Sequence, residues 1–395
     1  MVIVVGSGAG GATVAKELAV KGLPVLLLEK GQDVADKDAY KHYSNVDSEV
    51  KVMRTICLGG TTTVSAGNGV RCLEEELRLL GIDLRDEFVA AEKELGVRCL
   101  PDSFFGNGTK KIMTAAEQLG LKVDKMPKFI DSAKCNKDGR CTSGCLEGAK
   151  WTARRFVQDA KRAGARIKTG LPVDEVVVRN GAVNGVSCGS RFFPDNTVVL
   201  SAGALETPRL LNRLGIPTTP LFVDSFITLG GILKGIGFNK EVPMNAVIKC
   251  ADFILAPHFS TQLLAAMQKH GLNADSGDIL GIIIKIKDDA VDEVTEKVVK
   301  GVTNRDAAIL SEGAAIAGAI LKEAGVAPYT FVTTPLRGAH PGGTAKIGVV
   351  VDKNLETEVR GLYVADASVL PSAPGAPPIL TIVALAKYVS RIIVL

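Results

Sequence analysis

Val2-Ile3-Val4-Val5-Gly6-Ser7-Gly8-Ala9-Gly10-Gly11 opens the chain. A β-branched apolar run followed by G-x-G-x-x-G predicts a buried strand, a tight turn and a helix over residues 2–22. Three glycines have separate mechanical tasks. Gly6 permits the turn out of the strand, Gly8 lets backbone approach a pyrophosphate, and Gly11 lets helix and strand pack closely. The helix N-terminus that follows offers free N–H groups and a positive dipole end to phosphate. A second strand is predicted at Pro24–Lys30, and its Glu29 lies 18 residues beyond Gly11, the spacing of a ribose-binding carboxylate. Ser7, Ala9, Gly10 and Lys30 complete the candidate cradle. The pattern fits a dinucleotide and leaves NAD and FAD both open.

The chain has 395 residues, which favours two lobes over one growing core. Its 46% hydrophobic and 23% charged residues are those of an ordinary globular protein. A net charge of +4, with basic residues scattered, argues against a nucleic-acid reader or a polybasic membrane anchor. The strand pattern begins at Val2, which leaves no room for a leader, and no apolar run is long enough to span a membrane. A cytoplasmic protein is expected. In that setting eight cysteines read as thiols or ligands before they read as a disulfide framework.

Apolar spacing predicts helices over 73–81, 84–96, 107–120 and 152–164, with a strand at Ala165–Thr169. Val173–Val178, Gly185–Cys188 and Thr197–Leu200 read as further strands. Residues 221–335 change character, with the apolar strand Gly281–Ile286 and a helix over 304–324. They are expected to form a second lobe inserted into the first, which resumes at 336 and ends in a strand-loop-helix segment over 361–395.

Four further segments, in this order, resemble the glucose–methanol–choline (GMC) oxidoreductases. Leu58-Gly59-Gly60-Thr61-Thr62-Thr63-Val64-Ser65 is similar to the family's glycine-pair signature. Ser201-Ala202-Gly203-Ala204-Leu205-Glu206-Thr207-Pro208 is similar to its second signature. Ala339-His340-Pro341-Gly342-Gly343-Thr344-Ala345-Lys346-Ile347-Gly348 resembles its histidine motif. Gly361–Pro371 with Pro378-Ile379-Leu380-Thr381 resembles its C-terminal flavin segment. The resemblance covers nearly the whole chain. It implies an α/β protein: a Rossmann-like lobe (1–220 plus 336–395) holding non-covalent FAD, and an inserted α+β substrate lobe (221–335) built on an antiparallel sheet. It also implies that Gly59, Gly60, Thr61, Thr62, Val173, Ala202, Gly203, Asp366, Ala367 and Pro378 line the cofactor, with the threonine hydroxyls free to donate to phosphate. The last helix is expected to start near Pro377 or Pro378 and to point its N-terminus at the flavin. His42 and Cys57 are conceivable anchors for a covalent flavin, and nothing singles them out.

The resemblance makes His340 the catalytic base, since the family oxidises a CH–OH group by hydride transfer to the flavin while a proton leaves. His42, His258 and His270 read as surface or packing residues. One departure is plain: Pro377 stands where the family has Asn or His, and proline offers no hydrogen bond there. The spacing Cys135-x5-Cys141-x3-Cys145 suits packing thiols, and also allows an iron–sulfur centre with Cys57, a zinc site or a redox disulfide. Lys134, Lys137, Arg140 and Lys150 nearby would favour thiolate or a bound anion. Cys72, Cys99, Cys188 and Cys250 are expected in the core.

The leading expectation is an FAD-dependent dehydrogenase of a small organic alcohol with an unidentified electron acceptor. Alternatives are a flavin reductase of a carbonyl or C=C bond fed by a carrier, an NAD(P)H-linked flavoenzyme, and a non-catalytic FAD-bound subunit. No nucleic-acid partner and no membrane span are expected.

Overall fold

A computed structural model describes residues 1–393. The expected apolar tail therefore runs two residues beyond the described chain. Val2–Val5 is a fully buried strand at the centre of a five-stranded parallel sheet. The order across it is Leu362–Val364, Val198–Leu200, Val2–Val5, Val25–Leu28 and Arg166–Lys168. Val2 lies opposite Val25, and Ile3 lies opposite Val198. Such strands, buried on both faces, read as continuous apolar runs, which is why the first two were visible in the sequence.

Helix Ala9–Val20 packs against helices Ala153–Arg162 and Ile379–Ile392. The first and last helices are also joined by charge. Lys387 Nζ donates to Glu17 at 2.6 Å and to Glu94 at 2.7 Å, and Lys16 meets the same two acids. The chain's two ends thus close one core.

Predicted boundaries hold within a few residues for the helices Glu74–Leu79, Arg85–Leu95, Asn107–Gln118 and Asn304–Glu323. Thr303 caps the last of these through a reciprocal capping box with Asp306. The strand expected at Val173–Val178 begins later, at Glu175, and runs to Arg179 in a three-stranded antiparallel sheet with Ala182–Cys188 and Arg191–Pro194. Pro172 cannot donate to a ladder, and the chain is still crossing from Lys168 there.

The second large sheet is eight-stranded, with Ser225–Ile232, Ile279–Ile286, Phe253–Pro257 and Ala246–Lys249 as its antiparallel centre. Lys51–Val52, Arg337–Gly338 and Asp124–Lys125 extend it at its edges. Strand alternation divides its two faces. Leu280, Ile282 and Ile284 pack on helix Asn304–Glu323 with Ile309, Ala317 and Ile320. Ile283, Ile254 and Phe226 face the other way, toward the parallel-sheet side. No helix among the described residues is long and apolar enough to cross a membrane.

Candidate active site

One cavity of about 750 Å³ runs from the glycine turn to His340. At its first end Gly6 has φ +97°, and a Cβ there would stand 2.3 Å from Ser201 O. A Cβ on Gly10 would lie 1.7 Å from Ala365 O, and one on Gly11 2.0 Å from Gly6 O. These glycines are imposed by backbone packing. Gly8 differs: a Cβ there would meet nothing within 4 Å. The protein does not need its bareness, and a ligand does. Helix Ala9–Val20 has no side-chain cap, so its first N–H groups open toward this space. The donor set and the empty cradle fit a pyrophosphate.

Glu29 is buried at the floor. Ser7 N–H and Oγ–H donate to its Oε2 at 2.9 and 2.6 Å, and Gly31 N–H donates to Oε1 at 2.7 Å. Burial pushes the carboxyl up, and the Ser7 and Gly31 donors oppose that. Oε1 keeps acceptor capacity for a ribose hydroxyl.

Of the other predicted cradle residues, Lys30, Gly60, Thr61, Thr62, Val173, Ala202, Gly203, Asp366, Ala367 and Pro378 line this cavity, and Gly11 and Gly59 lie behind its wall. Gly59, at φ +90°, donates its N–H to Ser7 Oγ at 2.9 Å and so ties the two glycine turns together. Thr62 does not offer its hydroxyl to the cavity: it donates to Gly59 O at 2.6 Å and accepts from Ala153 N–H at 3.0 Å. Asp366 acts through the wall, accepting from Gly203 N–H at 2.8 Å, Thr207 Oγ–H at 2.6 Å and Ser368 N–H at 2.8 Å. The last helix starts at Ile379 with Pro378 as its cap, beside the cavity.

At the far end stand residues that sequence reasoning missed. His340 Nδ1 is 2.9 Å from Asp224 Oδ2, and the Asp224 carboxylate is fully buried. Among the described residues, His340 Nε2 has no hydrogen-bond partner. Asp224 adopts φ +50°, strain of the sort that surrounding structure must hold in place. Gly375 N–H donates to its Oδ1 at 2.9 Å, and Asp288, paired at 3.1 Å with the buried Lys300, accepts its backbone N–H at 2.7 Å. Lys285 Nζ lies 3.3 Å from His340 Nδ1 and 5.1 Å from the Phe226 ring centre. Burial drives Asp224 up, while Lys285 pulls it down. Burial first, and Lys285 second, hold His340 well below its ordinary value, so it is neutral at neutral pH. His258 is neither a surface nor a packing residue. It lines the cavity, sits 3.0 Å from Thr228 Oγ1, and is held at about 4, mainly by burial and then by Lys285.

Pro377 lines the cavity too, and leaves its usual hydrogen-bonding place bare. No signal in the linear sequence marked Asp224 or Lys285. Asp224 immediately precedes strand Ser225–Ile232 and Lys285 lies on strand Ile279–Ile286, and both meet the histidine loop only in the fold.

The packing reading of the three close cysteines agrees with their surroundings. Cys135, Cys141 and Cys145 pack in an apolar cluster with Leu100, Phe104 and Ile130, while Cys57 lies in a different one. Among the described residues no three His, Cys, Asp or Glu side chains form a group that could hold a metal ion. Burial raises Cys135 and Cys141, so the basic residues do not make thiolates of them. Lys150 turns instead to backbone, donating to Thr63 O, Ser65 O and Cys141 O at 2.7–2.9 Å. Cys99 is exposed rather than in the core, and all eight thiols are free.

Comparisons with known proteins agree with this geometry. The chain is 34% identical to an uncharacterized protein of Methanocaldococcus jannaschii over 98% of both chains. It is 27% identical to an uncharacterized GMC-type oxidoreductase of Mycobacterium tuberculosis, covering 98% of this chain and 75% of that one. It is 26% identical to a long-chain-alcohol oxidase of Arabidopsis thaliana, covering 99% and 67%. Among solved structures, pyridoxine 4-oxidase from Mesorbium loti superposes with a TM-score of 0.75 at 15% identity, over 99% of this chain and 98% of that one. A formate oxidase does so with the same score and identity, over 99% and 97%. At that identity the two structures speak for the fold alone. Two models described as GMC oxidoreductase match residues 2–239 and 301–386, together most of the chain, and the chain belongs to the GMC oxidoreductases, a family of FAD enzymes.

Proposed function

We propose that this protein oxidises the CH–OH group of a small organic substrate, with His340 taking the hydroxyl proton. The observation that carries the reading is the His340–Asp224 pair inside the cavity that begins at the glycine cradle. An ionised Asp224 accepts from Nδ1–H, which leaves the Nε2 lone pair free as the base. Non-covalently bound FAD supplies the hydride acceptor at this end of the cavity. Ser7, Gly8, Ala9, Gly10, Glu29, Gly60 and Thr61 would hold its nucleotide portion, and Ala367 and Pro378 would stand near the flavin. We take residues 1–220 with 336–395 as the cofactor unit and 221–335 as the substrate unit. We take the enzyme as a dehydrogenase working in the cytoplasm, where a reducing poise suits eight free thiols.

The test is anaerobic. Purified protein carrying FAD is mixed with a panel of alcohols and the flavin band is followed. Bleaching by an alcohol, slowed about 10²–10⁴-fold in His340→Gln, is the expected result. Peroxide formation on admitting O₂, at the rate supported by an artificial acceptor, would overturn the dehydrogenase assignment.

Pro377 favours a second reading, reduction of a carbonyl or C=C bond with electrons from a carrier, because proton removal has lost its usual partner there. Photoreduced enzyme that is reoxidised by a carbonyl compound, but not reduced by any alcohol, would select it.

A further inference from the structure

Arg337 lies on a short strand directly opposite Phe226, and Phe226 lies directly opposite Lys285 on its other side. Residues paired across neighbouring strands point to the same face. Arg337, Phe226 and Lys285 therefore form one row over three strands, spanning about 10 Å at the usual interstrand spacing. All three line the cavity that holds His340.

Arg337 is half-buried and makes no ion pair or side-chain hydrogen bond with any described residue, and its Nε is buried with no acceptor. A buried guanidinium N–H without an acceptor is costly, so such a group is normally answered. The acids of the cavity wall cannot answer it. Glu206 is held by Arg54 at 2.6 Å and Arg209 at 3.0 Å. Glu241 accepts from Gly108 and Thr109 N–H at 2.7 and 3.0 Å. Asp138 takes Arg140 N–H at 3.0 Å, and Glu29 and Asp366 are engaged as described. Of its titratable neighbours, the Tyr43 phenol, pushed to about 12 by burial, is neutral, and so is His258, held at about 4. Among the described residues the wall at this end thus carries the Arg337 guanidinium, the amine of Lys285, which burial lowers while Asp224 and Asp288 raise it, and two neutral histidines, with Asp224 behind His340.

We propose that the substrate is an anionic alcohol, whose oxyanion group, a carboxylate or a phosphate, is bound by Arg337 while its CH–OH group faces His340. Arginine's planar fork suits bidentate oxyanion binding, and the Lys285 amine offers further N–H donors along the same row. The proposal rests on the reading of this cavity as the substrate site, and it narrows the substrate class.

The experiment is isothermal titration of the full-length, FAD-loaded protein with acetate, inorganic phosphate and 1,2-ethanediol, at constant ionic strength set with chloride. Wild type, Arg337→Met and Arg337→Lys are compared. At least one anion is expected to bind ten-fold or more tightly than the neutral diol, and the Met variant is expected to lose at least ten-fold. The Lys variant should fall between. The two anion arms tell carboxylate from phosphate. Equal anion affinity in wild type and Met variant overturns the proposal. So does a Met variant that purifies without FAD, because Arg337 then serves the cofactor. If the Met variant does not fold, a Lys variant that binds as tightly as wild type overturns the proposal by itself. Binding is read without turnover. Anions that bind but are never oxidised would therefore count against the proposed oxidation and leave the anion site standing.

Discussion

The two ends of the cavity are built from different materials. At the glycine end the surface is backbone. Gly6, Gly10 and Gly11 are pressed against carbonyls, helix N–H groups stand open, and side chains such as Thr62 and Asp366 spend their hydrogen bonds holding turns in place. At the histidine end the surface is side chains under electrostatic tension. His340 Nδ1–H donates to a buried carboxylate with the Lys285 amine beside it, and a guanidinium stands unanswered. The first end binds one shape through fixed backbone donors, and its titrating group, Glu29, is tied up by Ser7 and Gly31. The second end can change its charge state, and that is what proton transfer needs.

Alanine at two neighbouring glycines would sharpen the contrast most. Gly10→Ala forces a methyl into Ala365 O and is expected to abolish soluble, flavin-bearing protein, as read by flavin absorbance after purification. Gly8→Ala meets only open space, so its melting temperature without cofactor should stay within about 2 °C of wild type. Its FAD affinity should nevertheless fall by about ten-fold or more, a change measured by fluorescence titration. A Gly8→Ala protein that binds FAD normally would break the idea that this glycine is kept for the ligand.

Asp224→Asn probes the other end. An amide can donate to His340 Nδ1 and fix the proton on Nε2, which removes the base while leaving the shape. Turnover should drop by on the order of 10⁴-fold with FAD content unchanged, and a loss under ten-fold would deny Asp224 its orienting role. The smallest effect is on stability in acid. His258 titrates near 4 in the folded protein against 6.5 when exposed, so the folded state resists its protonation. The stability this contributes is complete above pH 6.5 and is lost as pH falls from there toward 4. His258→Gln should therefore shed less melting temperature than wild type over that window, a difference on the order of a few degrees.

The glycine end was legible in the sequence because close backbone contact admits only glycine, so the chemistry is written at consecutive positions. Only the division of labour was blurred. Gly10 rather than Gly11 makes the tightest contact, and Gly11 and Gly59 lie behind the wall. The histidine end was legible at His340 alone. Asp224, Lys285 and Arg337 come from three separate stretches; strand pairing through Phe226 sets Lys285 and Arg337 in line, and the turn before that strand brings Asp224 to His340. The two-residue strands Lys51–Val52 and Asp124–Lys125 are too short to carry any alternation. Nearness in sequence misled at Lys150, which neighbours three cysteines and serves the carbonyls of a distant loop.

The grip of Lys387 on Glu17 and Glu94 has a consequence for biosynthesis. The nucleotide fingerprint is translated long before helix Ile379–Ile392, which covers its helix. Ala365 O, against which Gly10 is pressed, also arrives late. A nascent chain that has reached only the fingerprint therefore carries a finished motif and no finished site, and the cofactor has nothing firm to bind until residues 365–392 have been made. FAD capture becomes a late check: a product cut short before residue 365, however well its fingerprint is made, should leave the ribosome colourless.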